Sequence, residues 1–146
     1  MNKETYELFK RAGIDSIIKV IDEELQTRNE QAFWGEKVLP FSEAILSVLI
    51  PLRDANKLFT PEGVRIDELT PELFFRWSDF VSLKSLAFKI QRLNKLEDES
   101  KTNIDLKILG DYLSRYNVNL EDESLDFPIS NYNLHQGVSN VIKSLL

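Results

Sequence analysis

The chain has no cysteine, one histidine and few glycines in 146 residues. Without cysteine there is no disulfide framework, no thiolate zinc site and no thiol nucleophile. The single histidine, His135, excludes a histidine metal cluster. A Ser-His-Asp triad would have to use it, and no nucleophile elbow accompanies it. The five glycines form neither G-x-x-x-x-G-K-S/T nor G-x-G-x-x-G, so no phosphate-cradling loop is present. Long apolar runs are missing too. In the most apolar stretch, AFWGEKVLPFSEAILSVLIPLRD (32–54), Glu43 interrupts the run, and only Ala44 to Leu52 is free of charge. A membrane-crossing helix needs roughly 20 apolar residues. The opening MNKETYELFKRAG has no apolar segment of the secretory kind. Positive charge is also in deficit: 18 Lys and Arg face 24 Asp and Glu, a net charge of −6. A global affinity for nucleic acid is therefore not expected, although a local basic face is compatible with that balance.

Apolar material is plentiful. At 42% hydrophobic, with nine Phe, four Tyr and two Trp, the chain can build the core of one domain over 1–146. Its periodicity predicts a short helix over 3–12, ended near Gly13. A second follows in SIIKVIDEELQTRN, capped by Asp15 or Ser16, with Ile17, Ile18, Ile21 and Leu25 inward. Asn29 is placed to cap a third helix. That one is apolar on nearly every side, as a central buried helix would be, with a kink or break expected at Pro40 and Pro51. Thr60-Pro61 and Thr70-Pro71 both read as an N-cap followed by proline in the first turn. The first such helix is cut short at Gly63, and the second runs through Trp77. SDFVSLKSLAFKIQRLNKL either continues it or restarts at Ser78. IDLKILGDYLSRY (104–116) is a further helix weakened by Gly110. YNLHQGVSNVIKSLL (132–146) is the last, reached through an acidic connector over 117–131. LEDES occurs at 96–100 and 120–124 with unrelated flanks, which reads as two solvated acidic turns rather than a repeat. No strand alternation is evident. The expected architecture is an all-α bundle of about six to seven helices. The bare Leu145-Leu146 end leads us to expect a piece of a longer protein.

The residues suggest little catalysis. Paired carboxylates lie in charge runs, where nothing raises a pKa for acid–base work. Glu43 is the exception, with apolar neighbours in sequence, and an enzyme built around it is the least favoured reading. The Glu-x-x-His pattern of di-iron bundles is absent. No catalytic residue, metal or cofactor is expected. Trp34 and Trp77, each close to a Phe, read as core. One binding feature stands out. Between Arg76 and Lys95 there are five basic residues, Arg76, Lys84, Lys89, Arg92 and Lys95, against one acid, Asp79. With Lys84 at zero on a helical wheel, Lys95 falls at about 20°, Arg92 at about 80° and Lys89 at about 140°. Phe80, Leu83, Leu86, Ala87, Ile90 and Leu93 occupy the other side. This basic stripe is the expected binding face, for an acidic protein partner or for phosphates.

Phe33-Trp34, the small and apolar helix after it, and Leu52-Arg53-Asp54 together resemble part of the coupling ATPases of type IV secretion and conjugation systems, in the IncI-type and Dot/Icm-like branch. NLHQGVSNVIKSLL is similar to the segment where that family's chain returns to its motor. The resemblance covers roughly residues 30–55 and 130–146. It implies an all-α domain inserted in a hexameric motor, facing the cytoplasm, whose parent is anchored at the inner membrane. It implies recruitment of secreted substrate, relaxosome or accessory proteins, with DNA as a second ligand class. The Walker motifs are missing, as in an excised insert, and no catalytic residue carries over. The alternative is a free-standing helical adaptor or secretion chaperone that binds a protein partner.

Overall fold

The computed structural model describes residues 3–28, 31–95, 104–115, 136–140 and 143, with no side-chain detail for 31–36 or Phe80. The expected Asn29 cap, the Trp34 side chain, both LEDES turns, the 117–131 connector, His135 and the Leu145-Leu146 end lie outside this description. The fold is an all-α bundle. Its helices are α1 (Lys3–Arg11), α2 (Ile14–Thr27), α3 (Gln31–Asp54), α4 (Pro71–Trp77), α5 (Phe80–Lys95) and α6 (Lys107–Ser114), followed by a helical stretch over 136–140.

The central helix is α3, packed against α2, α4 and α6. Val38, Phe41, Ala44, Ile45, Leu46, Val48, Leu49 and Leu52 are fully buried, so that all but one stripe of the helix has the burial its composition predicts. Of the kink or break expected at Pro40 and Pro51, a break does not occur; the helix runs through both. The wheel gives the reason. With Glu43 at zero, Asp54, Ser47, Pro40 and Pro51 all fall within about 80°. This narrow stripe is the only described part of α3 that is exposed or half-buried besides its first turns. Each proline removes the donor for the carbonyl one turn back, at Glu36 and Ser47. Those carbonyls lie on the same outer stripe, where a helix can open slightly toward water without losing its packed side.

The helix boundaries also depart from expectation in places. α2 begins one residue before Asp15, with Gly13 as N-cap and no side-chain cap bond, so neither Asp15 nor Ser16 caps it. α4 and α5 are separate helices, one of the two expected outcomes, but the restart comes at Phe80 instead of Ser78. Ser78 closes the first, and the Asp79 carbonyl accepts the first α5 bond from Leu83 at 2.8 Å. α6 starts at Lys107 instead of 104. The Asn94 side chain accepts from the Ile104 N–H at 2.9 Å and donates to its carbonyl at 2.7 Å, holding that residue outside the helix.

The sharpest departure comes from two nearly identical tetrapeptides. Thr70-Pro71-Glu72-Leu73 opens α4 as expected, the Thr70 Oγ1 accepting from the Leu73 N–H at 3.2 Å. Thr60-Pro61-Glu62-Gly63 opens no helix. Gly63 takes φ +85° and donates to the Thr60 carbonyl at 2.8 Å, and the chain reverses so that Phe59 bridges Arg65. A turn closed by a glycine in the left-handed region is a common hairpin connection. The fourth residue therefore decides: leucine continues the helix, and glycine permits the reversal. A Cβ at Gly63 would meet nothing within 4 Å, so Gly63→Ala tests backbone strain alone. It is expected to lower stability by about 1 kcal/mol, or about 3 °C in Tm, in a thermal melt.

Candidate functional site

The five residues of the expected basic stripe do not form one surface. Lys84 is only 2% exposed, with its ammonium 5.7 Å from the Phe88 ring centroid. α5 contacts α4 and α6, and burial on it extends past the apolar half of its wheel to Lys84 and Phe88. The long Lys84 stem is buried along with Phe88. Arg76 is exposed but joined to Glu62 of the hairpin. Lys89 is half-buried, donates to the Pro61 carbonyl at 3.2 Å, and stands 5.7 Å from the Phe59 ring and 5.8 Å from that of Trp77. Only Arg92 and Lys95 are exposed in the manner expected, at the far end of α5.

Three of the predicted cations thus serve the fold, and two of them hold the hairpin. Trp77 is fully buried, as its sequence context predicts, and its Nε1 donates to the Phe59 carbonyl at 3.1 Å. Its ring meets Phe59 edge-on at 5.6 Å between centroids. The Arg76 guanidinium hydrogen-bonds Glu62 and holds its carboxyl below the ordinary value of 4.5. A lowered carboxylate pKa contributes stability above 4.5 that is lost as pH falls through the folded value. Glu62→Gln is therefore expected to lie below the wild type at neutral pH and to converge with it in acid, read as urea midpoints at pH 7 and pH 3.

Between the hairpin, the end of α3 and α5 there is a groove of about 430 Å³. Leu58, Phe59 and Leu93 form its apolar lining, and Lys57, Arg65 and Lys89 supply its charge. No carboxylate lines it among the described residues. α3 ends beside it in a Schellman arrangement: Lys57 N–H donates to the Leu52 carbonyl at 2.8 Å, Asn56 N–H to the Arg53 carbonyl at 3.1 Å, and Asn56 takes φ 57°. The freed Asn56 carbonyl accepts from the Arg65 guanidinium, which ties the hairpin's second arm to α3. An ammonium has three donors and a guanidinium five, so Lys89 and Arg65 retain donors beyond these anchoring bonds. The groove is therefore a preorganised cationic site over an apolar base. Lys57 and Arg65 have no special sequence signal: they flank a turn and belong to no helical stripe, and only the Gly63 reversal brings them to Lys89.

Other features carry less chemistry. Glu43 is exposed, beside Asp111 and Arg115 in a shallow hollow of about 160 Å³, which removes the apolar setting that an acid catalyst there would need. A larger hollow of about 720 Å³ against α1 is lined by both signs of charge, with Glu7 and Arg11 already 3.6 Å apart. Among the described residues, no group of three His, Cys, Asp or Glu is placed to hold a metal ion, and no helix is long and apolar enough to cross a membrane. No family model, curated protein or solved structure matches the chain.

Proposed function

We propose that this chain is a non-catalytic recognition domain of a type IV coupling protein, working on the cytoplasmic side and recruiting a protein partner for the motor. The observation that carries the recognition part is the groove, in which three cations surround an apolar base formed by Phe59, Leu58 and Leu93. That combination suits docking, since apolar contact supplies affinity and charge selects the partner. The coupling-protein part rests on the resemblance over residues 30–55. The site moves from the α5 stripe to the groove: of the original five residues Lys89 remains in it, joined by Lys57 and Arg65.

The test is a titration of the 146-residue chain against relaxase, relaxosome accessory proteins and secreted substrates, and against single- and double-stranded DNA, at low and high salt. Saturable binding of one protein partner, with DNA binding weak or absent at low salt, is the expected result. Salt-sensitive DNA binding with no protein partner would replace the reading by a nucleic-acid module. Binding to none of them would overturn it. Lys84→Glu is unsuitable as a probe, because it places a carboxylate in the core.

A further inference from the structure

From the groove we infer the chemistry of its ligand: an acidic peptide segment that presents one bulky apolar side chain between carboxylates. The inference rests on the recognition reading above. The groove, of about 430 Å³, is open to solvent along its length and has room for one bulky side chain with its flanking backbone. Phe59 and Leu93 are half-buried, so each leaves part of its side chain facing solvent at the base. Lys89 is fixed by the Pro61 carbonyl and by two aromatic rings, and Arg65 by the Asn56 carbonyl. A ligand carboxylate would thus meet cations whose positions are already set, and the ordering cost of binding is reduced. Gly63 has no side chain at the edge, and open space surrounds its α-carbon where a Cβ would stand.

The surroundings decide between a peptide and a nucleic acid. Exposed Asp54, Glu62, Asp67 and Glu68 flank the groove residues in sequence, and the chain as a whole carries −6. A duplex presents a phosphate about every 1.7 Å of its axis and would extend past the groove onto these carboxylates. A short cluster of carboxylates ends within it. The cationic area is local, and so is the charge it matches.

The experiment is a fluorescence anisotropy titration of the full chain with a labelled peptide carrying one phenylalanine flanked by paired glutamates. Two control peptides replace the glutamates by glutamine or the phenylalanine by alanine, and a labelled single-stranded oligonucleotide is run beside them. Arg65→Glu and Lys57→Glu are the test variants, each checked by circular dichroism; Arg65 is exposed and Lys57 half-buried. Lys95→Glu, outside the groove, is the control. Binding of the parent peptide, weakened on the order of tenfold by either groove variant and by either peptide change, is the expected result. Equal binding of the glutamine peptide, an unchanged affinity in both groove variants, or tighter binding of the oligonucleotide would overturn the inference. The variants also separate the two levels of the argument. A protein partner that still binds Lys57→Glu and Arg65→Glu unchanged would refute the groove and leave the recognition reading standing. A wild-type chain that binds the peptide but none of the proteins would do the reverse.

Discussion

Replacing Trp77 with alanine is expected to cost about 3–5 kcal/mol in urea unfolding. Three losses combine. The largest fully buried side chain among the described residues disappears, leaving a cavity between α4 and the hairpin. The Phe59 carbonyl loses its indole donor. Lys89 loses one of the two rings over which it is placed. The third loss makes the variant informative. If the indole and Lys89 form one clamp, Trp77→Ala and Lys89→Ala will be non-additive, and a double-mutant cycle will show coupling on the order of 1 kcal/mol. Strict additivity would mean that Lys89 holds the hairpin through the Pro61 carbonyl and the Phe59 ring, without help from the indole.

Arg53→Met is expected to cost about 2–3 kcal/mol, although methionine nearly matches the arginine stem. Arg53 is only 9% exposed, near the end of α3. Its Nη1 donates to the Phe9 carbonyl at 2.9 Å, and its Nε and Nη2 each reach the Asp54 carboxylate at 3.0 Å. Phe9 belongs to the last turn of α1, where carbonyls have no donor within the helix. The preceding carbonyl, Leu8, is taken by the Ala12 N–H at 2.8 Å, and the next one is taken by Arg53. A cation here also faces the negative end of the α1 dipole. Methionine would leave the Phe9 carbonyl buried without that partner, so the apolar gain does not compensate. Asp54 stays largely in water and loses little. Arg53→Lys should recover part of the loss, because the charge remains while the fork that spans both acceptors does not. A cost below about 0.5 kcal/mol for methionine would show that α1 docks without the Arg53 bond, through contacts such as the edge-on packing of Phe9 on Phe74 and the Lys10–Glu68 pair.

How far the sequence could be read depended on whether the deciding contact was local. The burial of α3, the Thr70 cap and the inward Trp77 all follow from composition and spacing within one element. The two prolines were legible as residues but not in their effect, because that depends on which stripe of α3 the rest of the fold leaves uncovered. The Thr60 and Thr70 tetrapeptides differ at one position, and the preference of Gly63 for positive φ was the only clue to the reversal. The five residues of the basic stripe do not share one surface, for a different reason. A wheel divides one helix into two sides, but burial on α5 does not stop at the apolar side: it takes in Lys84, and the hairpin occupies Lys89. The groove was least legible. Lys57, Arg65 and Lys89 are brought together by the Schellman turn at Asn56 and the Gly63 turn, and neither appears in a periodicity.

The 58–66 hairpin has a single bridged pair in its own ladder. Besides the buried Leu58 and the Trp77–Phe59 contacts, several of the bonds that fix it to the helices involve charge: Glu62 with Arg76, Arg65 with the Asn56 carbonyl, Lys89 with the Pro61 carbonyl, and, just beyond it, Glu68 with Lys10 at 3.3 Å. Such contacts weaken with ionic strength, as the screening length falls from about 10 Å at 0.1 M to about 3 Å at 1 M, whereas the apolar packing of α2 and α6 on α3 does not. Added salt should therefore speed amide exchange at Thr60, Gly63 and Ile66 while leaving α3 protected. A ligand in the groove would feel salt twice, once through the screening of its own carboxylates and once through the loosening of the wall that receives them.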